Sequence, residues 1–74
     1  MNYLVVFTSR NETLKMSKML ERNHVPFSMI NTPRDITSSC SISIKVNGMY
    51  VSFCKRILSN TQFYTFVGIF QYNY

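Results

Sequence analysis

Cys40 closes the run Asn31-Thr32-Pro33-Arg34-Asp35-Ile36-Thr37-Ser38-Ser39-Cys40, following three consecutive hydroxyl residues and lying six residues after Arg34. The thiolate is the reactive form of cysteine, so what matters is whether the surroundings favour an anion on sulfur. Hydroxyls and loop amides can solvate such an anion, and a nearby guanidinium would favour thiolate or persulfide over the neutral form. Read for packing alone, Cys40 is a small hydrophobe at the start of a strand.

The other residues capable of chemistry are few. Cys54 falls within an apolar stripe and reads as core. His24 is the single histidine, with no cysteine or acidic partner at ligand spacing, and reads as structural or capping. Glu12, Glu21 and Asp35 are too scattered for a carboxylate pair, and Asp35 suits a turn. Two cysteines without a Cys-x-x-Cys spacing give neither a dense disulfide framework nor a zinc site. Gly48 and Gly68 stand alone, so no phosphate-cradling loop is present, and neither metal nor cofactor is expected. Met16, Met19 and Met29 read as core filling, and Met49 as core filling or a pliable partner surface.

These residues must be positioned by a small set of elements. Tyr3 to Phe7 is a continuous apolar, aromatic and β-branched run, the pattern of a central strand buried on both faces. Thr8, Ser9 and Asn11 offer capping oxygens for a first helix over about 11–23, with Thr13, Met16, Ser17, Leu20 and His24 on one side and Asn23 as a left-handed stop. Pro26 holds Val25 extended before a second strand, Phe27 to Ile30, and Asn31 to Asp35 form a loop. From Cys40 the chain alternates, with Cys40, Ile42, Ile44 and Val46 on one face and Ser41, Ser43 and Lys45 on a wet face.

Asn47-Gly48 carries a hairpin signal, with Met49 to Phe53 as the returning strand. Tyr50, Phe53, Cys54, Ile57 and Leu58 instead recur at helical spacing, which places a second helix over about 48–59. Phe63 to Tyr72 then reads as the last strand. The order β-α-β-β-α-β predicts an α+β, ferredoxin-like sandwich, a four-stranded sheet with two helices on one face, with residues 1–74 as a single domain.

With those residues in view, the chain resembles the small selenium/sulfur carrier-like proteins of bacteria over most of its length. Thr32-Pro33-Arg34-Asp35-Ile36-Thr37-Ser38-Ser39-Cys40 is similar to the family's Thr-Pro-Arg-Glu-Ile-Ser-Ser-Ser-Cys motif, and Tyr3-Leu4-Val5-Val6-Phe7 and His24-Val25-Pro26-Phe27 support the match. Ser41 stands where the family usually has glycine, and Asn47 to Asn60 carries aromatics and no acid where the family commonly has charged pairs. The resemblance implies a carrier rather than an enzyme, one that holds sulfur or selenium as a persulfide-type adduct between donor and acceptor proteins. In that scheme Cys40 is the acceptor nucleophile, Arg34 stabilises the anionic adduct, and Ser38 and Ser39 supply hydrogen bonds.

Composition bounds these readings. A chain of 74 residues, 46% of them hydrophobic, can build one modest core and is not of the disordered class. No apolar run approaches a membrane span, and the absence of a signal segment, with free thiols, points to a reducing cytoplasm. The net charge of +5 favours anionic partners, although the eight cations form no run of four. Tyr3, Phe7 and Tyr50 invite comparison with RNA-recognition sheets, but Asn47 to Phe53 lacks the leading basic residue of their motif and is one residue short, which disfavours nucleic acid. The uncharged last strand points instead to a protein-interaction module or homodimer formed through its edge.

Overall fold

A computed structural model describes residues 1–36 and 42–72. The chain runs β1 (Asn2–Phe7), α1 (Arg10–Arg22), β2 (Phe27–Asn31), β3 (Ile42–Asn47), a single 3-10 turn (Gly48–Tyr50), α2 (Val51–Asn60) and β4 (Phe66–Tyr72). The sheet order is β2-β3-β1-β4, and every neighbouring pair is antiparallel. This is the expected β-α-β-β-α-β sandwich. Both helices lie on one face, because Met16 and Leu20 of α1 and Cys54 and Ile57 of α2 share one core with Val5 and Phe7 of β1 and Ile44 and Val46 of β3.

The other face is not simply wet. Leu4 and Val6 point away from the helices, yet both are fully buried, covered by Ile30, Ile36, Phe70 and Tyr72. Ser43, expected to face water, is also fully buried, and its hydroxyl lies 2.5 Å from that of Thr32. The alternation of β3 is real, but Thr32 and Ile36, just after β2, lie on this face and shield part of its polar side. The described part of β3 begins at Ile42. Cys40 and Ser41, expected as its first residues, lie outside the described residues.

The end of α1 departs from expectation by one residue. Asn23 has a negative φ, −96°, and the left-handed position is His24, at φ 59°. The Val25 amide donates to the Leu20 carbonyl at 2.9 Å and the His24 amide to that of Glu21 at 3.1 Å, the paired bonds of a Schellman stop. Val25 and Leu20 meet in the core, so the motif's usual apolar contact is present. His24 therefore leaves the helix stripe and is exposed. Met29, expected in the core, is 37% exposed because β2 is an edge strand.

The ambiguity after β3 resolves as a helix, entered through the 3-10 turn. Asn47 accepts a hydrogen bond from the Met49 amide at 3.0 Å and caps that turn. Gly48 serves close approach here: its amide donates to the Met1 carbonyl at 2.7 Å, and a Cβ would sit 3.1 Å from the Tyr3 ring. Tyr50, Phe53, Cys54, Ile57 and Leu58 all reach the core, as their spacing requires.

β4 starts three residues later than expected because Glu12 takes the intervening amides. Ser9 and Glu12 have the spacing of a capping box, and the Ser9 hydroxyl accepts from the Glu12 amide at 3.3 Å. The reciprocal bond is interrupted. Glu12 reaches across to accept from the amides of Tyr64 and Thr65 at 2.9 and 2.7 Å and from the Thr65 hydroxyl, while that hydroxyl accepts from the Ser9 amide at 3.3 Å. The Thr65 carbonyl accepts from the Thr8 amide at 2.9 Å. Phe63, just before, packs on Phe7 with ring centroids 4.9 Å apart. The irregularity continues into the ladder, where Val6 pairs with Gly68 but Phe7 with Phe66, leaving Val67 as an extra residue.

These contacts give two expectations. Leu4→Ala, although on the face away from the helices, should cost about 2–5 kcal/mol in urea unfolding, as for a core leucine; a loss within surface scatter would show that this face is uncovered in solution. The bonds from Thr65 and Tyr64, aided by Lys15 and opposed by partial burial, hold the Glu12 carboxyl below its ordinary 4.5. Its stabilisation is therefore complete above the unfolded carboxyl value and is lost as pH falls through the lower folded value. Glu12→Gln should lower the urea midpoint at neutral pH and reduce the difference between neutral and acid midpoints; an unchanged pH dependence would refute the assignment.

Candidate functional site

The residues that could do chemistry converge on the connection from β2 to β3. Asn31 and Ile42 are paired in the ladder, so this connection leaves and re-enters the sheet at adjacent positions. Its first part is fixed by three contacts. Thr32 meets buried Ser43 through the paired hydroxyls, the Ile36 amide donates to the Pro33 carbonyl at 3.1 Å, and the Ile36 side chain packs against Leu4 and Val6. The turn between Pro33 and Ile36 leaves Arg34 and Asp35 exposed at its apex. The polar residues at its apex avoid burying unpaired groups.

Of the four predicted site residues, Arg34 is thus placed on an exposed turn anchored at both ends. Cys40, Ser38 and Ser39 lie outside the described residues. The turn that carries Arg34 follows Thr32, whose hydroxyl pairs with that of buried Ser43. Ser43 was missed as a contributor because alternation alone assigned it to water. The signal that could have found it is the hydroxyl at Thr32, inside the same motif and able to satisfy a buried serine.

Cys54 is a thiol of the opposite kind. It is fully buried in the helix-side core, and burial pushes its pKa up to about 11. A buried thiol without a stabilising charge is a packing group and a poor nucleophile. Tyr3, Phe7 and Tyr50, the aromatics that suggested a base-stacking surface, also belong to the helix-side core rather than to the open sheet face. The open-face positions of the central strands are Leu4, Val6, Ser43 and Lys45, so those strands present no aromatic ring for a base to stack on. Among the described residues no group of three His, Cys, Asp or Glu could hold a metal ion. Among them, too, no helix is long and apolar enough to cross a membrane.

No curated protein and no solved structure matches the chain. A family described as "Putative Se/S carrier protein-like" matches residues 2–66, a span that runs from β1 to the start of β4 and includes the whole motif from Thr32 to Cys40. With that match and the β-α-β-β-α-β sheet in hand, the chain belongs to the Se/S carrier protein-like family.

Proposed function

We propose that this protein is a sulfur or selenium carrier that holds a persulfide-type adduct on Cys40 and passes it between a donor and an acceptor protein. The observation that carries the reading is the family match across the motif that ends in Cys40. The burial and raised pKa of Cys54 support it by elimination, since a two-cysteine chain then has Cys40 as its remaining candidate. Arg34, exposed on an anchored turn, is available to stabilise an anionic sulfur, with Ser38 and Ser39 as hydrogen-bond donors. The chain acts as one domain and in a reducing compartment such as the cytoplasm, where a free thiol persists.

The transfer balances without an oxidant. The Cys40 thiolate attacks the outer sulfur of a donor persulfide, the new S–S bond forms on Cys40, and the donor's own S–S bond breaks to release its thiolate. Selenium at the same oxidation level would follow the same course. Attack and departure both involve thiolates, so the carrier needs no general base.

A second reading, association through β4, is favoured by a different observation. β4 is a sheet edge without a charged residue; Phe66 and Val67 are each 40% exposed, and Leu58, Phe66 and Ile69 line an apolar depression beside it. We infer that two copies can pair through this edge. Sedimentation equilibrium should then show a concentration-dependent dimer that Val67→Lys weakens. A strict monomer at high concentration would sink it.

For the carrier reading, intact mass after incubation with a cysteine desulfurase and cysteine should rise by one sulfur atom, and the gain should reverse with reductant. Cys40→Ser should abolish the gain and Cys54→Ser retain it, while Arg34→Gln should slow it by about tenfold or less, as for a shift of up to one pKa unit. Native alkylation gives an independent check. At pH 8 Cys54, with a pKa of about 11, is ionised to about one part in a thousand, so Cys40 should react first. No adduct, together with Cys40 alkylation as slow as that of Cys54, would overturn the proposal.

A further inference from the structure

Asn11, Leu14, Lys15, Lys18, Met19 and Arg22 recur at spacings of three and four, which places them along one side of α1. Together with Thr61, at the end of α2, they line an open groove of about 540 Å³. Its floor is partly apolar, for Leu14 is 40% exposed and Met19 is half-buried. Its rim carries three cations and no carboxylate.

The missing negative charge has a structural cause. Glu12, the acid nearest Lys15 on the helix, feels the Lys15 charge but has both oxygens turned away from the groove lining to Tyr64 and Thr65. Glu21 faces a neighbouring depression with Lys18, Arg22 and His24. Asp35 lies on the turn of the β2–β3 connection. The Lys15 ammonium sits 5.1 Å from the centre of the Phe63 ring, a cation–π contact that holds it beside the groove and covers that ring. Lys18 and Arg22 form no ion pair with a carboxylate among the described residues, so their charge is available to a partner.

We propose that this groove docks an acidic, amphipathic segment of a partner protein, with carboxylates on Lys15, Lys18 and Arg22 and an apolar side chain against Leu14 and Met19. Charge complementarity selects the acidic partner, and the apolar floor favours a protein segment over a phosphate backbone. A nucleic acid would stack its bases on an open ring, and no aromatic residue lines the groove. The groove belongs to the helical layer, whereas Thr32 to Ile36 cross the opposite sheet face, so the inference does not rest on the chemistry of Cys40.

The test is a titration of the isotopically labelled full chain with a synthetic peptide that alternates Glu and Leu at helical spacing, followed by amide chemical shifts. Shifts should concentrate at Asn11, Leu14, Lys15, Lys18, Met19, Arg22 and Thr61. Lys18→Glu with Arg22→Glu should weaken binding by about tenfold or more, whereas Lys55→Glu with Arg56→Glu, an equal change in net charge elsewhere, should weaken it by about threefold or less. Leu14→Ser should weaken it by about threefold or more through the lost apolar contact. Equal loss from both charge reversals, an unaffected Leu14→Ser variant, or tighter binding of single-stranded oligothymidylate at the same residues would overturn the proposal.

Discussion

Four successive residues of β1, Leu4, Val5, Val6 and Phe7, are fully buried, and because strand side chains alternate they demand apolar cover on both sides of the sheet. The helices supply it on one side through Met16, Leu20, Cys54 and Ile57. Among the described residues no further helix covers the other side. Ile36, Ile30, Phe70 and Tyr72 fill that place, and the segment Thr32 to Ile36 lies over the sheet so that Ile36 reaches it. The need to bury Leu4 and Val6 thus holds Thr32 to Ile36, the first part of the motif, against the sheet.

The same economy governs the polar contacts. Ser43 is buried under that segment at the cost of a hydroxyl that must be satisfied, and Thr32 satisfies it from the segment itself. On the helix side, Glu12 trades the local bond of a capping box for three donors from Tyr64 and Thr65. That exchange ties the start of β4 to the start of α1 and fixes Phe63 on Phe7. It also turns the acid nearest Lys15 toward the start of β4, so a tie that serves folding shapes the charge of the surface.

Much of this was legible in the sequence, and where it was not the reasons are specific. The uninterrupted run from Tyr3 to Phe7 announced a strand buried on both faces, and the stripe from Tyr50 to Leu58 outweighed the hairpin signal of Asn47-Gly48 because it extends through two turns of helix. Alternation in β3 misplaced Ser43, since a period of two says which residues share a face but not whether something covers it. β4 was drawn too long because Tyr64 and Thr65 suit a strand by residue type, while their amides are taken by Glu12, 52 and 53 residues away. The Ser9-to-Glu12 spacing was there to be read; the insertion of Thr65 into it was not. Of the candidate site, the motif proposed the residues and the fold gave the anchor for one of them, Arg34.

The packing of the Thr32–Ile36 segment ties the candidate site to stability. In a larger protein a functional loop can move while the core beneath it stays intact. Here Ile36 is part of the core on its side of the sheet, so lifting the segment would expose Leu4 and Val6 and unpair Thr32 from Ser43 in one step. Uncovering two such side chains costs about 2 kcal/mol or more, a large share of what so small a domain has to spare. Arg34 and Asp35, at the exposed apex, carry no such burden. The chain can therefore vary its chemistry at the apex, whereas the residues that hold the turn, Thr32, Ile36 and Ser43, are constrained by folding whatever Cys40 does.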